Sequence, residues 1–481
     1  MARKSDTLTP DICVIGGGSG GLVVAAAAAS FGVNVVLIEK GRMGGDCLNY
    51  GCVPSKAMIA AGKHAQAVRE GPHFGVSVDG GPDVDFAAVH NHVRGVIAAI
   101  APMDSQERFE ALGVTVIREH ARFADKRTVE AGPHTIRARR FVVATGSSPF
   151  VPPIQGIGDV AYETNETLFD RKSAPGRLIV IGGGPIGLEM AQAHRRLGAQ
   201  VTVLEGERAM GKDDPELARI VTDALREEGV VIREGTRVTR LEPGAGKKGV
   251  RVHVEADGEA ETIEGDTLLV ATGRAANVTE LGLDEAGIEY TRRGITVGAD
   301  LRTSNRRVYA VGDVHGGLQF THMAGHEAGL VIRALLFRLP AKVDTSIVPW
   351  CTYTDPELAH VGLTEAQARE RHGDGLSILR WPYGENDRAQ AERRTEGLVK
   401  ILADGKGRVI GASIVGPHAG ESIHIWSLAV SKGMRLRDLT GYVPPYPTLT
   451  EAGKRAVTSH FAPMAAKGWV RGAVGFLQRF G

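Results

Sequence analysis

The chain has 481 residues, 43% of them hydrophobic, and a formal net charge of +1. This length predicts about three domains with large cores, and the balanced charge excludes a bulk field that recruits nucleic acid. The opening MARKSDTLTP lacks the apolar run of a secretion signal, and LVVAAAAA from Leu22 is too short to span a bilayer. We therefore expect a cytoplasmic protein, in which a close cysteine pair is catalytic or metal-binding.

The first predicted element is a strand, a glycine turn, a helix and a second strand, DICVIGGGSGGLVVAAAAASFGVNVVLIEK from Asp11. The turn carries Gly16, Gly18 and Gly21 in a G-x-G-x-x-G pattern, and the second strand ends at Glu39. The first glycine permits the tight turn, the second lets backbone approach a pyrophosphate, and the third lets the helix pack on the strand. The acid accepts hydrogen bonds from ribose hydroxyls. The element therefore predicts a dinucleotide site.

A cysteine pair follows in GGDCLNYGCVPSK, which holds Cys47 and Cys52, half of the four cysteines. A disulfide requires Cα atoms about 4.4–6.8 Å apart. Residues five apart in a regular helix lie beyond that range, so the pair needs a local distortion, which Gly51 makes inexpensive. Lys56 and a helix N-terminus nearby would lower a thiol pKa. The segment therefore predicts a reactive dithiol.

The dinucleotide pattern then occurs a second time, in RLIVIGGGPIGLEMAQAHRRLGAQVTVLEG. Its glycines are Gly182, Gly184 and Gly187, and its second strand ends at Glu205, which follows the first glycine by 23 residues as in the first copy. Two copies predict two dinucleotides. One is a nicotinamide, and the other, beside the cysteines, is FAD, because flavin chemistry can take hydride from nicotinamide and deliver electrons to sulfur.

Glu205 also predicts which nicotinamide binds. A carboxylate at this position accepts from a 2′-hydroxyl and repels a 2′-phosphate, which favours NADH over NADPH. NADPH stays an alternative because of Arg208. This residue is either a solvated surface charge, which we favour, or a ligand of a 2′-phosphate.

Further motifs appear as FVVATGSSP, LLVATGR, VYAVGDV, YTDPELAHVGLTE and YPTLTE. Together with the cysteine pair, they make the chain resemble the class I, FAD-dependent pyridine nucleotide–disulfide oxidoreductases over nearly its whole length. The resemblance implies an α/β fold with two Rossmann-like dinucleotide-binding domains and a C-terminal α+β dimerisation domain. The implied bounds are 1–149 for the first part of the FAD-binding domain, 150–275 for the NAD(P)-binding domain, 276–345 for the second, central part of the FAD-binding domain, and 346–481 for the dimerisation domain.

The resemblance also implies roles for the residues around the dithiol. Cys52 is the thiol nearest the flavin and Cys47 the thiol that exchanges with substrate. Lys56 touches the reactive flavin nitrogen and pairs with Glu189 on the second glycine-motif helix.

Other implied roles concern the cofactor and the quaternary structure. Asp313 of VYAVGDV holds the ribityl chain, Glu39 binds the adenosine ribose, and Thr145 and Gly146 bind cofactor. The implied assembly is a homodimer in which the C-terminal region reaches the partner's active site.

Two positions depart from the family pattern. Most disulfide reductases of this family carry an acid–base histidine five residues before a glutamate, whereas this chain has Tyr446 before Glu451. Mercuric reductases also have tyrosine there but end in a vicinal cysteine pair, and this chain has no cysteine after Cys351. The second departure is Asp46, before the first redox cysteine. We expect Glu451 to accept a hydrogen bond from the Tyr446 hydroxyl across the dimer.

The predicted function is electron transfer from NAD(P)H through FAD to the Cys47–Cys52 disulfide, and on to a small-molecule or protein disulfide or a soft electrophile. The alternatives are a mercuric reductase, a dihydrolipoamide dehydrogenase, or a non-catalytic flavoprotein subunit, against which the complete set of Cys47, Cys52, Lys56 and Glu189 argues. No metal site is expected, because no histidine pair has ligand spacing with other ligands close by.

The segment after Phe461 predicts a last helix. Trp469, Ala473, Phe476 and Phe480 recur at helical spacing among basic residues. We favour a helix packed on its own dimer, and the alternative is docking on a membrane surface or a partner.

Overall fold

The computed structural model describes residues 6–247 and 249–480, and these divide into two compact units. The first unit contains the residues through Gly206 together with Gly235–Thr345. The second contains Glu207–Glu234 and the residues from Ser346 onward.

Up to Gly206 the chain alternates strands and helices. The strands are β1 (Asp6–Leu8), β2 (Ile12–Ile15), β3 (Val35–Ile38), β4 (Thr115–Ile117), β5 (Ala121–Asp125), β6 (Thr128–Ala131), β7 (His134–Ile136), β8 (Arg140–Val143), β9 (Ser147–Pro149), β10 (Arg177–Ile181) and β11 (Gln200–Leu204). The helices are α1 (Ser19–Ser30), α2 (Gly45–Asn49), α3 (Cys52–Glu70), α4 (Phe86–Ile100), α5 (Gln106–Ala111), α6 (Asn165–Leu168) and α7 (Pro185–Arg196).

The remaining elements follow in chain order. Residues 207–234 form α8 (Pro215–Glu227) and β12 (Val231–Arg233). The first unit resumes with β13 (Arg237–Pro243), β14 (Val250–Ala256), β15 (Glu259–Gly265), β16 (Thr267–Val270), β17 (Arg274–Ala276), β18 (Tyr290–Thr291), β19 (Gly294–Ile295), β20 (Val308–Ala310) and α9 (Thr321–Phe337). The second unit then forms β21 (Trp350–Thr352), β22 (Glu357–Gly362), α10 (Glu365–His372), β23 (Ser377–Pro382), α11 (Asp387–Ala391), β24 (Leu398–Ala403), β25 (Val409–Gly416), α12 (Ala419–Ser422), α13 (His424–Lys432), α14 (Glu451–Phe461) and α15 (Gly468–Leu477).

The first glycine motif lies in a parallel five-stranded sheet of order β20-β8-β2-β3-β4. All residues of β2 and β3 are buried, as expected for apolar, β-branched strands covered on both faces. Helices α1 and α9 pack against each other beside this sheet. Strand β20, which carries the start of VYAVGDV, returns from far along the chain to pair with β8. The VYAVGDV segment therefore joins the sheet that holds the first glycine motif, and the domain bounds stay a prediction.

The second glycine motif has the same local architecture. Strand β10 pairs in parallel with β11 on one side and with β16 on the other, and α7 follows the turn after β10. An antiparallel sheet of order β13-β14-β15 is inserted before β16. The two Rossmann-like folds of the predicted fold class are present.

The second unit is built on an antiparallel sheet of order β21-β22-β25-β24-β23. Strands β24 and β25, in the segment LVKILADGKGRVIGASIVG, form a hairpin. Helices α13 and α14 pack on this sheet around the buried side chain of Trp426. This α+β unit carries the YPTLTE segment and the C-terminal helix α15. Among residues 6–247 and 249–480, no helix is long and apolar enough to cross a membrane.

Candidate dithiol redox site

The first glycine turn is tightly packed at its first and third glycines and open only at its middle glycine. Gly16 has a φ of +111°, and a Cβ atom on it would lie 2.3 Å from the carbonyl oxygen of Ala144. A Cβ atom on Gly21 would lie 1.9 Å from the carbonyl oxygen of Gly16, so helix and strand meet there. At Gly18 the nearest atom would be 3.8 Å away, on Gly45. The turn therefore offers open backbone at its middle glycine, where a pyrophosphate approaches.

The second turn repeats this geometry. Gly182 has a φ of +113°, and its Cβ atom would lie 2.4 Å from the carbonyl oxygen of Ala271. A Cβ atom on Gly187 would lie 2.0 Å from the Gly182 carbonyl oxygen, whereas one on Gly184 would meet no atom within 4 Å. Both turns, each at a helix N-terminus, therefore fit a dinucleotide phosphate.

The two strand-end acids lie over their turns. Glu39 accepts from the backbone N–H groups of Gly17 at 2.6 Å and Gly41 at 2.5 Å. Glu205 accepts from the backbone N–H of Gly183 at 2.7 Å. Each carboxylate is thereby held beside the glycine loop, where its sequence position placed it. Their bonds to ribose hydroxyls stay a prediction.

The cysteines lie on either side of a break between two helices. Cys47 is inside α2, and Cys52 is the first residue of α3. Gly51 separates them with a φ of −119° and a ψ of −111°, which is not helical. A Cβ atom on Gly51 would lie 2.8 Å from Oδ2 of Asp46, so this close approach favours glycine. The expected distortion at Gly51 is confirmed, and it places Cys52 at the positive end of a helix dipole.

Both cysteines are free, with no disulfide between them. The neighbouring Cys47 thiol, together with Thr321 and the charge of Lys56, lowers the pKa of the Cys52 thiol to about 6, against the opposing effects of burial and Asp46. The neighbouring Cys52, together with burial, raises the pKa of Cys47. The Thr321 hydroxyl lies 3.3 Å from the Cys52 sulfur. At neutral pH this arrangement favours a thiolate on Cys52 and a thiol on Cys47.

A cation lies one helical turn after Cys52. Lys56 Nζ donates to Oε2 of Glu189 at 2.7 Å. Glu189 is buried on α7, only 6% exposed, so the pair lies partly away from water. The ion pair expected from the sequence is therefore present, and it joins the cysteine-bearing helix to the second glycine-motif helix.

A polar network connects the cysteine segment to Asp313. Arg274 Nη2 lies 3.1 Å from Oδ1 of Asp46, and its Nε donates to the Ser147 hydroxyl at 2.7 Å. Ser147 in turn donates to Oδ2 of Asp313 at 2.5 Å, and burial raises the pKa of that carboxyl. Asn165 also donates to Asp46 at 3.1 Å. Asp46, which departs from the family pattern, is thus held by its contacts with Arg274 and Asn165.

Thr145 and Gly146 lie at the end of β8, beside Asn277. The Thr145 hydroxyl donates to the Asn277 carbonyl at 2.9 Å, and the Asn277 side chain donates back to the Thr145 carbonyl at 2.9 Å. The Gly146 carbonyl accepts from the Asn277 backbone N–H at 3.0 Å. These contacts hold the loop after β8 in place, and binding of cofactor by its two residues stays a prediction.

Sequence reasoning missed three residues of this site. Thr321 carries no local signal, because its importance comes from a side chain distant along the chain. Ser147 lies within FVVATGSSP and Arg274 ends LLVATGR, so these two motifs were the available indications of their roles.

Tyr446 and Glu451 lie in the second unit, beside a cavity of about 290 Å³. The Tyr446 hydroxyl donates to Oδ2 of Asp387 at 2.9 Å, and this bond raises the pKa of Tyr446. Glu451 Oε1 instead accepts from Arg455 at 3.0 Å. Within the chain, Asp387 takes the single proton that the phenol can donate. The hydrogen bond from Tyr446 to Glu451 across the dimer stays a prediction.

Two family descriptions match the chain. Residues 10–328 match "Pyridine nucleotide-disulphide oxidoreductase", and residues 348–457 match "Pyridine nucleotide-disulphide oxidoreductase, dimerisation domain". The matches cover both glycine motifs and the segment with Tyr446.

Similar proteins include two kinds of enzyme. A mercuric reductase from Lysinibacillus sphaericus is 37% identical over 93% of this chain and 82% of its own length. A dihydrolipoyl dehydrogenase from Bacillus subtilis (strain 168) is 31% identical over 93% of this chain and 98% of its own length.

Among solved structures, the HOCl-induced flavoprotein disulfide reductase RclA from Escherichia coli superposes with a TM-score of 0.84. It is 27% identical and is matched over 93% of this chain and 99% of its own. A Cu(II) complex of RclA superposes with a TM-score of 0.81 and 28% identity, over 92% of this chain and 98% of its own.

Proposed function

The chain belongs to the pyridine nucleotide-disulphide oxidoreductase family, and from this we propose that it is an NADH-preferring reductase whose Cys47–Cys52 pair delivers electrons to a soft, thiophilic metal ion. The family supports an enzyme that moves electrons from a nicotinamide through FAD to a disulfide. Its dimerisation domain supports a homodimer. The choice of nicotinamide, the acceptor and the individual residue roles are the proposal.

The observation that carries the proposal is the asymmetric thiol pair. Cys52 begins α3 with the Thr321 hydroxyl 3.3 Å from its sulfur and Lys56 one turn further on. These surroundings lower the pKa of Cys52, whereas the pKa of Cys47 is raised, so a Cys52 thiolate beside a Cys47 thiol is favoured. Bound FAD would take hydride from the nicotinamide and relay two electrons to sulfur. The Cys47–Cys52 disulfide takes up two electrons and one proton to become the Cys47 thiol and the Cys52 thiolate. Passing both electrons to an acceptor re-forms the S–S bond and releases that proton.

Residues of the chain would position these groups without taking part in the redox change. Gly18 and Gly184 leave their turns open to phosphate, and Asp313 would hold the ribityl chain of FAD. Lys56, fixed by Glu189 at 2.7 Å, supplies a positive charge near the Cys52 thiolate. Glu205, held over the second turn, would accept from a ribose 2′-hydroxyl and repel a 2′-phosphate, which supports NADH.

The proposed class of acceptor is based on the chemistry of Tyr446. Exchange with a dithiol substrate needs a group that takes a proton near neutral pH. A phenol has an ordinary pKa of about 10, against about 6.5 for imidazole, and the bond to Asp387 raises the pKa of Tyr446 further. A metal ion bound by thiolates needs no such base during electron transfer. The mercuric reductase relatives and the Cu(II) complex of RclA support this class of acceptor.

Dihydrolipoamide oxidation is the second candidate, supported by the dihydrolipoyl dehydrogenase relative. It needs an efficient base, which the Tyr446 segment does not supply on the contacts described. A non-catalytic subunit is set aside, since the family members named here are enzymes.

The test is anaerobic NADH consumption by the purified holoprotein with Hg(II), Cu(II) or small disulfides as acceptors. Ferricyanide serves as an acceptor that takes electrons without needing the dithiol. We expect metal-ion reduction to need both cysteines, and Cys47→Ser to keep ferricyanide reduction. Equal metal-ion reduction by native protein and Cys47→Ser would refute the dithiol route, and faster turnover with a disulfide than with any metal ion would refute the acceptor class.

A further inference from the structure

The C-terminal segment 462–480, which we name the tail, exposes an apolar helix. Helix α15 has no buried residue along its length. Trp469 is 71% exposed and Phe480 is 74% exposed, with Phe476 and Leu477 also exposed. Such a cluster of exposed, large apolar side chains indicates a surface that binds another molecule or a membrane.

The aromatic residues of the tail lie on one face. Trp469, Ala473 and Phe476 are spaced by four and three residues, so they share one side of the helix. The rings of Phe476 and Phe480 lie 5.1 Å apart, so the short turn after α15 continues this face. Arg471 follows Trp469 by two residues, and residues so spaced do not face each other. The helix therefore has an apolar side and a basic side.

The charge of the tail has one sign. It contains Lys467, Arg471 and Arg479, and the sequence has no aspartate or glutamate after Glu451. The whole chain has a net charge of only +1, so this excess is local. Three cations beside an exposed aromatic face complement an anionic surface with an apolar interior.

We propose that the tail docks on the surface of an anionic phospholipid bilayer. Trp469 and Phe476 would enter the boundary between headgroups and acyl chains, while Arg471 and Arg479 would meet lipid phosphates. A ten-residue helix is far too short to span the bilayer, so it would lie in the plane of the interface. This docking is independent of the proposed acceptor and would hold the reductase at a membrane.

The rival occupant is a second copy of the chain. The family match to the dimerisation domain ends at residue 457, before the tail begins. A basic face without acids also lacks the opposite charges that pair two copies of one helix. These observations favour lipid over the dimer, which the test below distinguishes.

The test is co-sedimentation of the full-length, FAD-loaded protein with vesicles of phosphatidylcholine alone or mixed with phosphatidylglycerol. Variants are Trp469→Ser/Phe476→Ser for the apolar face and Arg471→Gln/Arg479→Gln for the charges. Phe74→Ser/Val76→Ser is the control, because it removes two exposed apolar side chains elsewhere. Each protein is also sized by analytical ultracentrifugation and assayed with NADH and ferricyanide.

We expect native protein to bind the anionic vesicles, high salt to weaken binding, and either tail variant to bind at least about tenfold more weakly. The control variant should bind like native protein, and ferricyanide reduction should be unchanged throughout. Native protein that stays in the supernatant at low salt, or that binds both vesicle types equally, would overturn the proposal. Conversion of the Trp469→Ser/Phe476→Ser dimer to monomers would assign the tail to the dimer and overturn it as well.

Discussion

The dithiol site in the first unit and the Tyr446 segment in the second hold their polar side chains differently. At the dithiol site, Cys52 has Cys47 and Thr321 as partners, and Lys56 pairs with a buried glutamate. Tyr446, in contrast, is 70% exposed, and its acceptor Asp387 has a half-exposed side chain. Water reaches the exposed Cys52 as well as Tyr446, but it competes less for the Lys56–Glu189 pair, whose carboxylate is buried, than for the Tyr446–Asp387 pair.

In the proposed function, this difference would separate two tasks. Delivery of electrons to sulfur would depend on the cysteine pair and on Lys56, which a buried glutamate holds. Handling of the acceptor would depend on the exposed segment that carries Tyr446. Changes at the first site should therefore abolish activity, and changes at the second should alter which acceptor is used.

The largest effect is expected from Cys52→Ser. We expect metal-ion reduction to fall at least about a thousandfold, together with loss of the long-wavelength absorbance of a thiolate against flavin after one equivalent of NADH. Cys47→Ser should also lose metal-ion reduction but keep or enhance that absorbance, since its Cys52 remains. Anaerobic spectrophotometric titration is the measurement. Identical spectra for the two variants would contradict the assigned roles of the cysteines.

The second effect concerns Lys56. The pKa of Cys52 is about 6, so its thiolate is present above that pH and is lost as pH falls through it. Lys56→Met removes a charge that lowers this pKa, so half-maximal alkylation of Cys52 by iodoacetamide should shift to higher pH. Acceptor reduction at neutral pH should fall about tenfold. Lys63→Met, on the same helix, is the control, and an identical alkylation profile in both variants would exclude this role for Lys56.

Tyr446→His tests the acceptor side. The native protein should oxidise dihydrolipoamide slowly, and the histidine should raise that rate about tenfold or more, because imidazole takes protons near neutral pH. Metal-ion reduction should change little. Tyr290→His is a matched control, since Tyr290 is another exposed tyrosine that donates to an aspartate, Asp284, at 3.3 Å. Fast native turnover with dihydrolipoamide would reveal another base.

The smallest effect is expected at the nicotinamide turn. Glu205→Ser should reduce the preference for NADH over NADPH about tenfold, the size of one lost hydrogen bond to a charged group. The measurement is kcat/KM with each nucleotide. Arg208→Ala should leave the ratio unchanged, because its guanidinium donates to the carbonyls of Gly211 and Asp213. The assignment of NADH would be reversed by a native preference for NADPH, or by an NADPH preference that Arg208→Ala abolishes.

Much of the fold was determined by the sequence itself. The glycine turns follow from local sterics, since Gly16 and Gly182 have positive φ and their partners Gly21 and Gly187 lie only five residues away. Residues that are neighbours along the chain also determine the buried β-branched strands, the hairpin of β24 and β25, and the break at Gly51. Patterns of this kind are visible because the interacting atoms are close in sequence.

The tertiary structure alone decided which polar side chains meet. Thr321 contacts Cys52 although the two are 269 residues apart in the sequence, and Tyr446 contacts Asp387 although they are 59 residues apart. Arg274 likewise joins Asp46 to Ser147 from a distant strand. A hydrogen bond between side chains needs only a few ångströms of proximity and leaves no spacing in the sequence. Packing of the strands and helices created these contacts, so the partner of Tyr446 could not be identified from residue order.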